Sequence, residues 1–290
     1  MKSHNLPVSI LLATLNGAAH LRDQLESIQA QDHKNWHIIL SDDGSIDETL
    51  NIATSTIEAD RLTILRGPQK GLTQNFWNAL MHVPEGYFAA FCDQDDVWNT
   101  DKLSNALLHI GKSTDPTLFS AGRVVTDETL HALYCQSRRS VRSFTGLLWR
   151  NRIAGHTCMI NPEALRVLQK FPPPIGVPFH DWWTALVLKG NGAKFVHDPK
   201  PSLCYRQHTS NVLGAQGGRI RKILNGTYVG WVHANYVALR QVQDQFRLEA
   251  QHALHVCLPR RAELSLRQRK LRLDHARQHQ QQTRRRGIFD

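Results

Sequence analysis

Long apolar runs are missing from this 290-residue chain. A membrane-spanning helix needs about 20 consecutive apolar residues. The best candidate, Val8 to Leu15, already carries Ser9 and Thr14 and runs into Asn16-Gly17. It reads as a buried strand entering a loop. Lys2 is the only lysine or arginine before it and no small-residue cleavage site follows, so a secretory signal is not expected. Cysteine is sparse: Cys92, Cys135, Cys158, Cys204 and Cys257 are widely spaced, with no C-x-x-C pair. That argues against a disulfide framework or a thiolate zinc site and suits a reducing cytoplasm. G-x-G-x-x-G and G-x-x-x-x-G-K-[ST] are both absent. Dinucleotide-binding Rossmann proteins lose their main support, and P-loop nucleotide hydrolases are excluded. No internal repeat is visible.

Acidic residues thin out along the chain. Residues 1–100 carry a net charge of −7, residues 101–200 of +6 and residues 201–290 of +11. An acidic front half and a basic tail suit two different partners rather than one nucleic acid. Single-stranded nucleic-acid sites interleave aromatic residues with cations. After Tyr236 the only aromatic residues of the tail are Phe246 and Phe289, so no nucleic-acid partner is expected. The tail reads as a solvated helical face or as a patch for an anionic membrane surface. Residues 276–286 (ARQHQQQTRRR) have the composition of a disordered end.

In the front half, short apolar runs alternate with helical patterns. Strands are expected at Val8–Ala13, Trp36–Leu40, Leu62–Leu65 and Tyr87–Cys92. Between them, Leu21, Leu25 and Ile28 share one face of a helix over 20–31, a second helix follows Ser45 or Asp47, and a third carries Phe76, Leu80 and Met81. This rhythm argues a parallel α/β sheet, whose ligands bind outside the carboxyl ends of the strands. Three polar loops fall there: Thr14–Asn16, Ser41–Ser45 and Asp93–Asp96. Further on, helices are expected at 99–111, from Pro162 to the Pro172–Pro174 break, and at 180–189. Strands are expected at 117–125 and 194–205, and two amphipathic helices after about Gln216, the second beyond Pro259.

Asp93-Gln94-Asp95-Asp96 puts three carboxylates in four residues, which repel unless something positive lies among them. Asp93 and Asp95 are spaced to point the same way. A hard divalent cation, Mg²⁺ or Mn²⁺, bound in turn to phosphate oxygens suits such a loop. A solvated acidic turn with Asp96 or Asn99 as a helix cap is the plainer reading. Asp42-Asp43-Gly44-Ser45 has the same ambiguity: Asp42 could accept a hydrogen bond from a base N–H, or the segment could be simple turn chemistry.

Taken together, six segments resemble the family-2 glycosyltransferases with the GT-A fold, in particular their bacterial rhamnosyltransferase-like branch. They are 8–17 (VSILLATLNG), 41–49 (SDDGSIDET), 91–98 (FCDQDDVW) with Lys102-Leu103, Gly155-His156-Thr157, His180-Asp181-Trp182-Trp183 and 205–214 (YRQHTSNVLG). The resemblance covers residues 7 to about 215. It implies an α/β chain: a GT-A domain over 1–215, with a Rossmann-like mixed sheet flanked by helices, and a basic helical extension over 216–290.

The resemblance also implies roles. Thr14, Asn16, Asp42 and Asp43 would line the nucleotide pocket, Asp42 facing the pyrimidine, and Asp93 would contact the ribose. Asp95 would hold the metal, with His208 as a further ligand. Arg206 would pair phosphate oxygens, Asp181 would be the general base, and Trp182, Trp183 and His156 would lie on the acceptor side. The processive Gln-x-x-Arg-Trp motif is missing, which argues against a cellulose- or chitin-type polymerase. The expected activity is inverting, non-processive transfer of a sugar from a dTDP- or UDP-sugar, dTDP-L-rhamnose foremost, to a saccharide or lipid-linked acceptor in surface-polysaccharide synthesis. A nucleotide-sugar-binding or scaffold protein without turnover is the alternative.

Overall fold

The computed structural model describes residues 5–137, 141–208 and 226–256. In the front half, β1 (Val8–Thr14), β2 (Trp36–Asp42), β3 (Leu62–Arg66) and β4 (Phe88–Cys92) alternate with α1 (Leu21–Gln29), α2 (Thr49–Thr56) and α3 (Leu72–Met81). Then come β5 (Val97–Trp98), α4 (Lys102–Ile110), β6 (Thr117–Thr126), β7 (Ala132–Gln136) and α5 (Phe144–Trp149). The rest comprises β8 (Cys158–Ile160), α6 (Pro162–Gln169), α7 (His180–Gly190), β9 (Lys194–Arg206), α8 (Thr227–Arg240) and α9 (Leu248–Val256).

The strands form one sheet in the order β3-β2-β1-β4-β8-β6-β9-β5, with β7 paired to β6. β3, β2, β1 and β4 are parallel, as the strand–helix rhythm predicts. β8 runs antiparallel to both β4 and β6, which makes the sheet mixed. β9 is parallel to β6, and β5 closes the order antiparallel to β9. The short elements β5, β7, β8 and α5 carry too few residues to show a period and are not legible in the sequence.

Every residue of β1 is buried, because helices cover both faces of the sheet. Alternation sorts its side chains. Leu11 and Ala13 pack with Phe76, Trp182 and Trp183 on one face, and Val8, Ile10 and Leu12 pack with Leu21, Leu25 and Leu107 on the other. Counting from β1, the chain first winds outward through β2 and β3 and then returns to place β4 on the opposite side. That reversal is a topological switch point, and it leaves a crevice at the carboxyl ends of β1 and β4.

The C-terminal helices differ in detail from expectation. The first, α8, ends at Arg240. Val242 and Phe246 lie in the connection to α9, where Phe246 is buried against Phe144 and Phe171. The helix expected after Pro259 and the expected domain boundary at 215/216 lie outside the described residues. Leu239, Phe246, Ala250 and Leu254 share one core with α7. Phe246→Ala is therefore expected to destabilise the whole front-half fold by about 3–5 kcal/mol, the usual cost of deleting a buried phenyl ring. Urea unfolding followed by tryptophan fluorescence should show one cooperative transition at lower midpoint. An unchanged midpoint would mean that these helices do not support the fold.

Candidate active site

A cleft of about 570 Å³ opens at the switch point. Among the residues lining it are Thr14 and Asn16 after β1, Asp43 after β2, Asp93 and Asp95 after β4, Asp181 at the start of α7, and His208 just past β9. Eight sequence-predicted site residues thus meet here, since His156 also lines the cleft.

The wall at β1 and β2 is built from satisfied polar groups. Thr14 Oγ1 donates to Asp42 Oδ1 at 2.8 Å, and Ser45 donates to Asp42 from its hydroxyl (2.6 Å) and its N–H (2.8 Å). Asn16, in a left-handed conformation, ties this loop to the next: its N–H donates to Ser45 Oγ and its side chain accepts from Ile46 N–H. Asn75, reaching in from α3, donates to the carbonyls of Ser41 (2.8 Å) and Thr14 (3.2 Å) and accepts from Ser41 Oγ (2.6 Å). Gln94 bridges across to β1 through both Leu15 backbone groups. A side chain at Gly17 would meet that Gln94 amide and displace it.

These bonds change one assignment. Asp42 is buried and its carboxylate is taken up by Thr14, Gly44 and Ser45, so it organises the loop instead of facing the cleft. Asp43 lines the cleft, with its two oxygens receiving the N–H groups of Gln69 (2.6 Å) and Gly71 (3.2 Å).

The acidic loop is fixed by residues from later in the chain. Asp93 Oδ2 and Asp96 Oδ2 stand 2.9 and 3.4 Å from His156 Nδ1. Arg123 on β6 reaches the other ring nitrogen, Nε2, at 2.8 Å, and its guanidinium lies 4.1 Å over the Tyr205 ring. Lys102 Nζ donates to the His156 carbonyl at 2.6 Å. Asp93, Asp96 and His156 offer three ligand atoms within 4.8 Å of one another. Asp95 turns the other way and meets His208 Nε2 at 2.7 Å, so the two residues expected to hold a metal do stand side by side. The His20 ring lies tilted 4.8 Å from the His208 ring and also lines the cleft.

Burial pushes all three carboxyls above the ordinary aspartate range. Asp181 adds to the shift at Asp93, Asp93 adds to that at Asp95, and Asp96 is raised well above that range, by burial and then by Asp95 and Asp93. Among the described residues neither oxygen of Asp96 has a hydrogen-bond partner, and its side chain is fully buried. Burial in turn lowers the Lys102 ammonium to about 8.

Asp181 sits in the first turn of α7. Its Oδ1 accepts from Asn151 Nδ2 (2.9 Å) and Trp182 N–H (2.6 Å), and its Oδ2 from Gly155 N–H (3.2 Å). His180 stacks on Phe76 at 3.9 Å, and burial holds its imidazole below the usual histidine range. Gly155 must lack a side chain, because a Cβ there would strike His180 Nε2 and crowd Asp181.

Two further expectations are corrected. Trp182 and Trp183 are 1% exposed, and their indole N–H groups donate to the carbonyls of Leu147 (2.7 Å) and Phe171 (2.9 Å). They build the core behind Asp181 and do not line the cleft. Arg206 is 5% exposed and absent from the cleft lining; it donates to Asp23 Oδ2 (2.6 Å) and to the carbonyls of Asp95 (3.1 Å) and Glu128 (2.8 Å). It anchors the Asp95 backbone. His156, expected on the acceptor side, is a buried support of the acidic loop that also touches the cleft. Sequence reasoning missed Asn75, Arg123, Lys102 and Asn151 as site residues. Lys102 had a signal, since it closes the segment that begins with the acidic loop; the others had none.

A mixed sheet with helices on both faces and an acidic loop at its switch point is the architecture of GT-A glycosyltransferases. The sequence model of glycosyl transferase family 2 matches residues 9–168. The dTDP-rhamnosyl transferase RfbG of Shigella flexneri is 30% identical over 221 residues, covering 70% of this chain and 74% of that protein. Among solved structures, Staphylococcus aureus TarS 1–349 in complex with UDP superposes with a TM-score of 0.60 at 16% identity, over 86% of this chain and 68% of that one. The mannosyltransferase PcManGT of Pyrobaculum calidifontis, in complex with GDP-Man and Mn²⁺, gives 0.55 at 18%, over 90% and 83%. The chain belongs to glycosyltransferase family 2.

Asp96 supplies a test of the loop's electrostatics. Its carboxyl is raised on folding, so the folded state holds the proton more tightly than the unfolded chain, whose aspartates titrate near 3.9. Stability is then lost as pH rises from about 4 toward the folded value. Asp96→Asn removes that burden. In chelator, the variant should melt above wild type at pH 8 by several degrees, at about 2–4 °C per kcal/mol, and by less at pH 5. A gain that is equal at both pH values would show that Asp96 is not the strained group.

Proposed function

We propose that this protein is a metal-dependent, inverting, non-processive glycosyltransferase. It moves L-rhamnose from dTDP-L-rhamnose to a saccharide or lipid-linked acceptor in bacterial surface-polysaccharide (O-antigen, lipopolysaccharide or capsule) synthesis, at the cytoplasmic side of the membrane. The observation that carries this reading is the sharing of one cleft by the acidic loop after β4 and the Asp181 carboxylate on α7. The relative named for dTDP-rhamnosyl transfer supports the donor, and the UDP and GDP-Man complexes of the structural neighbours support a nucleotide-sugar in such a cleft.

In this reading Thr14, Asn16 and Asp43 hold the base side of the donor, and Asp93 faces the ribose. A carboxylate oxygen and a ring nitrogen side by side in the cleft, Asp95 Oδ2 and His208 Nε2, suit Mg²⁺ or Mn²⁺. When bound, such an ion neutralises the negative charge that builds on the departing diphosphate. The Asp93–Asp96–His156 group is the weaker candidate for it, because Arg123 and Lys102 already supply positive charge there. Asp181 takes the proton of the acceptor hydroxyl, a step worth roughly 10²–10⁴-fold. Attack from the face opposite the leaving diphosphate inverts the anomeric centre.

Two variants separate these roles. Asp181→Asn keeps the size of the side chain and removes the proton acceptor. It should leave donor affinity within about twofold and lower single-turnover transfer by about 10² or more. Full transfer activity would place the base elsewhere, and selective loss of donor binding would move Asp181 into the nucleotide site. Asp95→Ala should abolish the Mn²⁺-dependent part of dTDP or UDP binding, read by calorimetry with and without the ion. Binding as tight as wild type in Mn²⁺ would overturn the metal assignment.

A further inference from the structure

Between Glu128 and Glu163, and again between Asp198 and Asp244, the chain has no acidic residue. The two stretches carry five and six lysines or arginines. Of these, Lys200 and Arg206 are paired internally to Asp101 and Asp23. The fold brings the two stretches together: α5 packs against α8, and the Tyr228 hydroxyl donates to the Trp149 carbonyl at 2.6 Å.

Both elements and the residues flanking them expose apolar and basic side chains. Trp149, the last residue of α5, is 44% exposed, and Arg142 before α5 and Arg150 after it are exposed. On α8, Val229, His233, Val237 and Arg240 recur at helical spacing on the side opposite the buried Ala238. Val229 and Val237 are 37% and 42% exposed. At 14 residues, α8 is too short to cross a bilayer but long enough to lie on one. The segment leaving α5 runs straight to the chemistry, since Asn151 donates to Asp181.

We propose that the α5–α8 face is the surface by which this protein lies on an anionic lipid bilayer. Cations of one sign set among exposed aromatic and branched apolar side chains match a negatively charged headgroup layer over a hydrocarbon boundary. Docked this way, the Asp181 side of the cleft meets a lipid-linked acceptor at the membrane. That last consequence rests on the proposed glycosyltransferase function; the docking itself does not.

The test is co-sedimentation of the 290-residue chain with vesicles of pure phosphatidylcholine and of phosphatidylcholine with 30% phosphatidylglycerol. Wild type should bind the anionic vesicles only, and binding should weaken as salt is raised. The double variant Arg142→Glu, Trp149→Ser should lower partitioning about tenfold or more, and Val237→Glu on α8 should lower it independently. Thermal stabilisation by UDP or dTDP with Mn²⁺, read on the same variants, should be unchanged. Equal binding to both vesicle types overturns the proposal. So does unchanged binding of both variants together with complete loss on removing residues 257–290, which would assign recruitment to the tail alone. Vesicle binding without any nucleotide effect in wild type would sink the glycosyltransferase reading and leave the docking surface standing.

Discussion

Asp93, Asp95 and Asp96 leave the end of β4 with the first two partly buried at the cleft and Asp96 wholly buried. Three like charges there repel one another, and each also loses solvation. The fold answers with groups from distant parts of the chain. Lys102 comes from α4, Arg123 from β6 and His156 from the turn before β8, and they interlock through His156. That is why the sheet cannot end at β4. β8, antiparallel beside β4, and β6 next to it bring His156 and Arg123 to the acidic loop, and Lys102 joins them from α4. Compensation is incomplete at Asp96, whose oxygens have no hydrogen-bond partner among the described residues.

The opposite wall follows a different principle. Thr14, Asn16, Ser41, Asp42, Ser45 and Asn75 satisfy one another almost completely. Such a network is stiff, because any displacement leaves a polar group buried and unpaired. It holds the ends of β1 and β2 at fixed positions and leaves Asp43 as the carboxylate turned toward the cleft. The cleft therefore combines one wall that is electrostatically loaded with one that is geometrically rigid.

Much of this was legible from residue order. Buried strands covered on both faces read as continuous apolar runs, so β1, β2 and β4 were visible, and with them the three loops that meet at the switch point. Which carboxylate faces the ligand was not. Asp42 and Asp43 are adjacent and chemically identical, and only the strand register, with Asp42 as the last residue of β2 opposite Thr14, decides that Asp42 turns inward. Trp182 and Trp183 could have been placed better. The helix HDWWTALVLKG has no polar face, and a helix apolar all round is a buried one. Arg206 could not have been, since its partner Asp23 lies 183 positions away in sequence.

What remains of the site turns on how Asp181 is held. Its Oδ1 accepts two hydrogen bonds, from Asn151 and from the Trp182 amide, which occupy that oxygen. Its Oδ2 receives one described donor, the Gly155 N–H, at a longer 3.2 Å. A carboxylate oxygen accepts two bonds comfortably. Oδ2 thus keeps a lone pair while Oδ1 fixes the plane of the group. The core behind it is closely packed, and the indole N–H groups of Trp182 and Trp183 are bonded to Leu147 and Phe171. In the proposed role of Asp181 as the base, residues that do not touch the cleft therefore matter to the chemistry: they hold the carboxylate in one orientation and leave Oδ2 a lone pair for the acceptor hydroxyl.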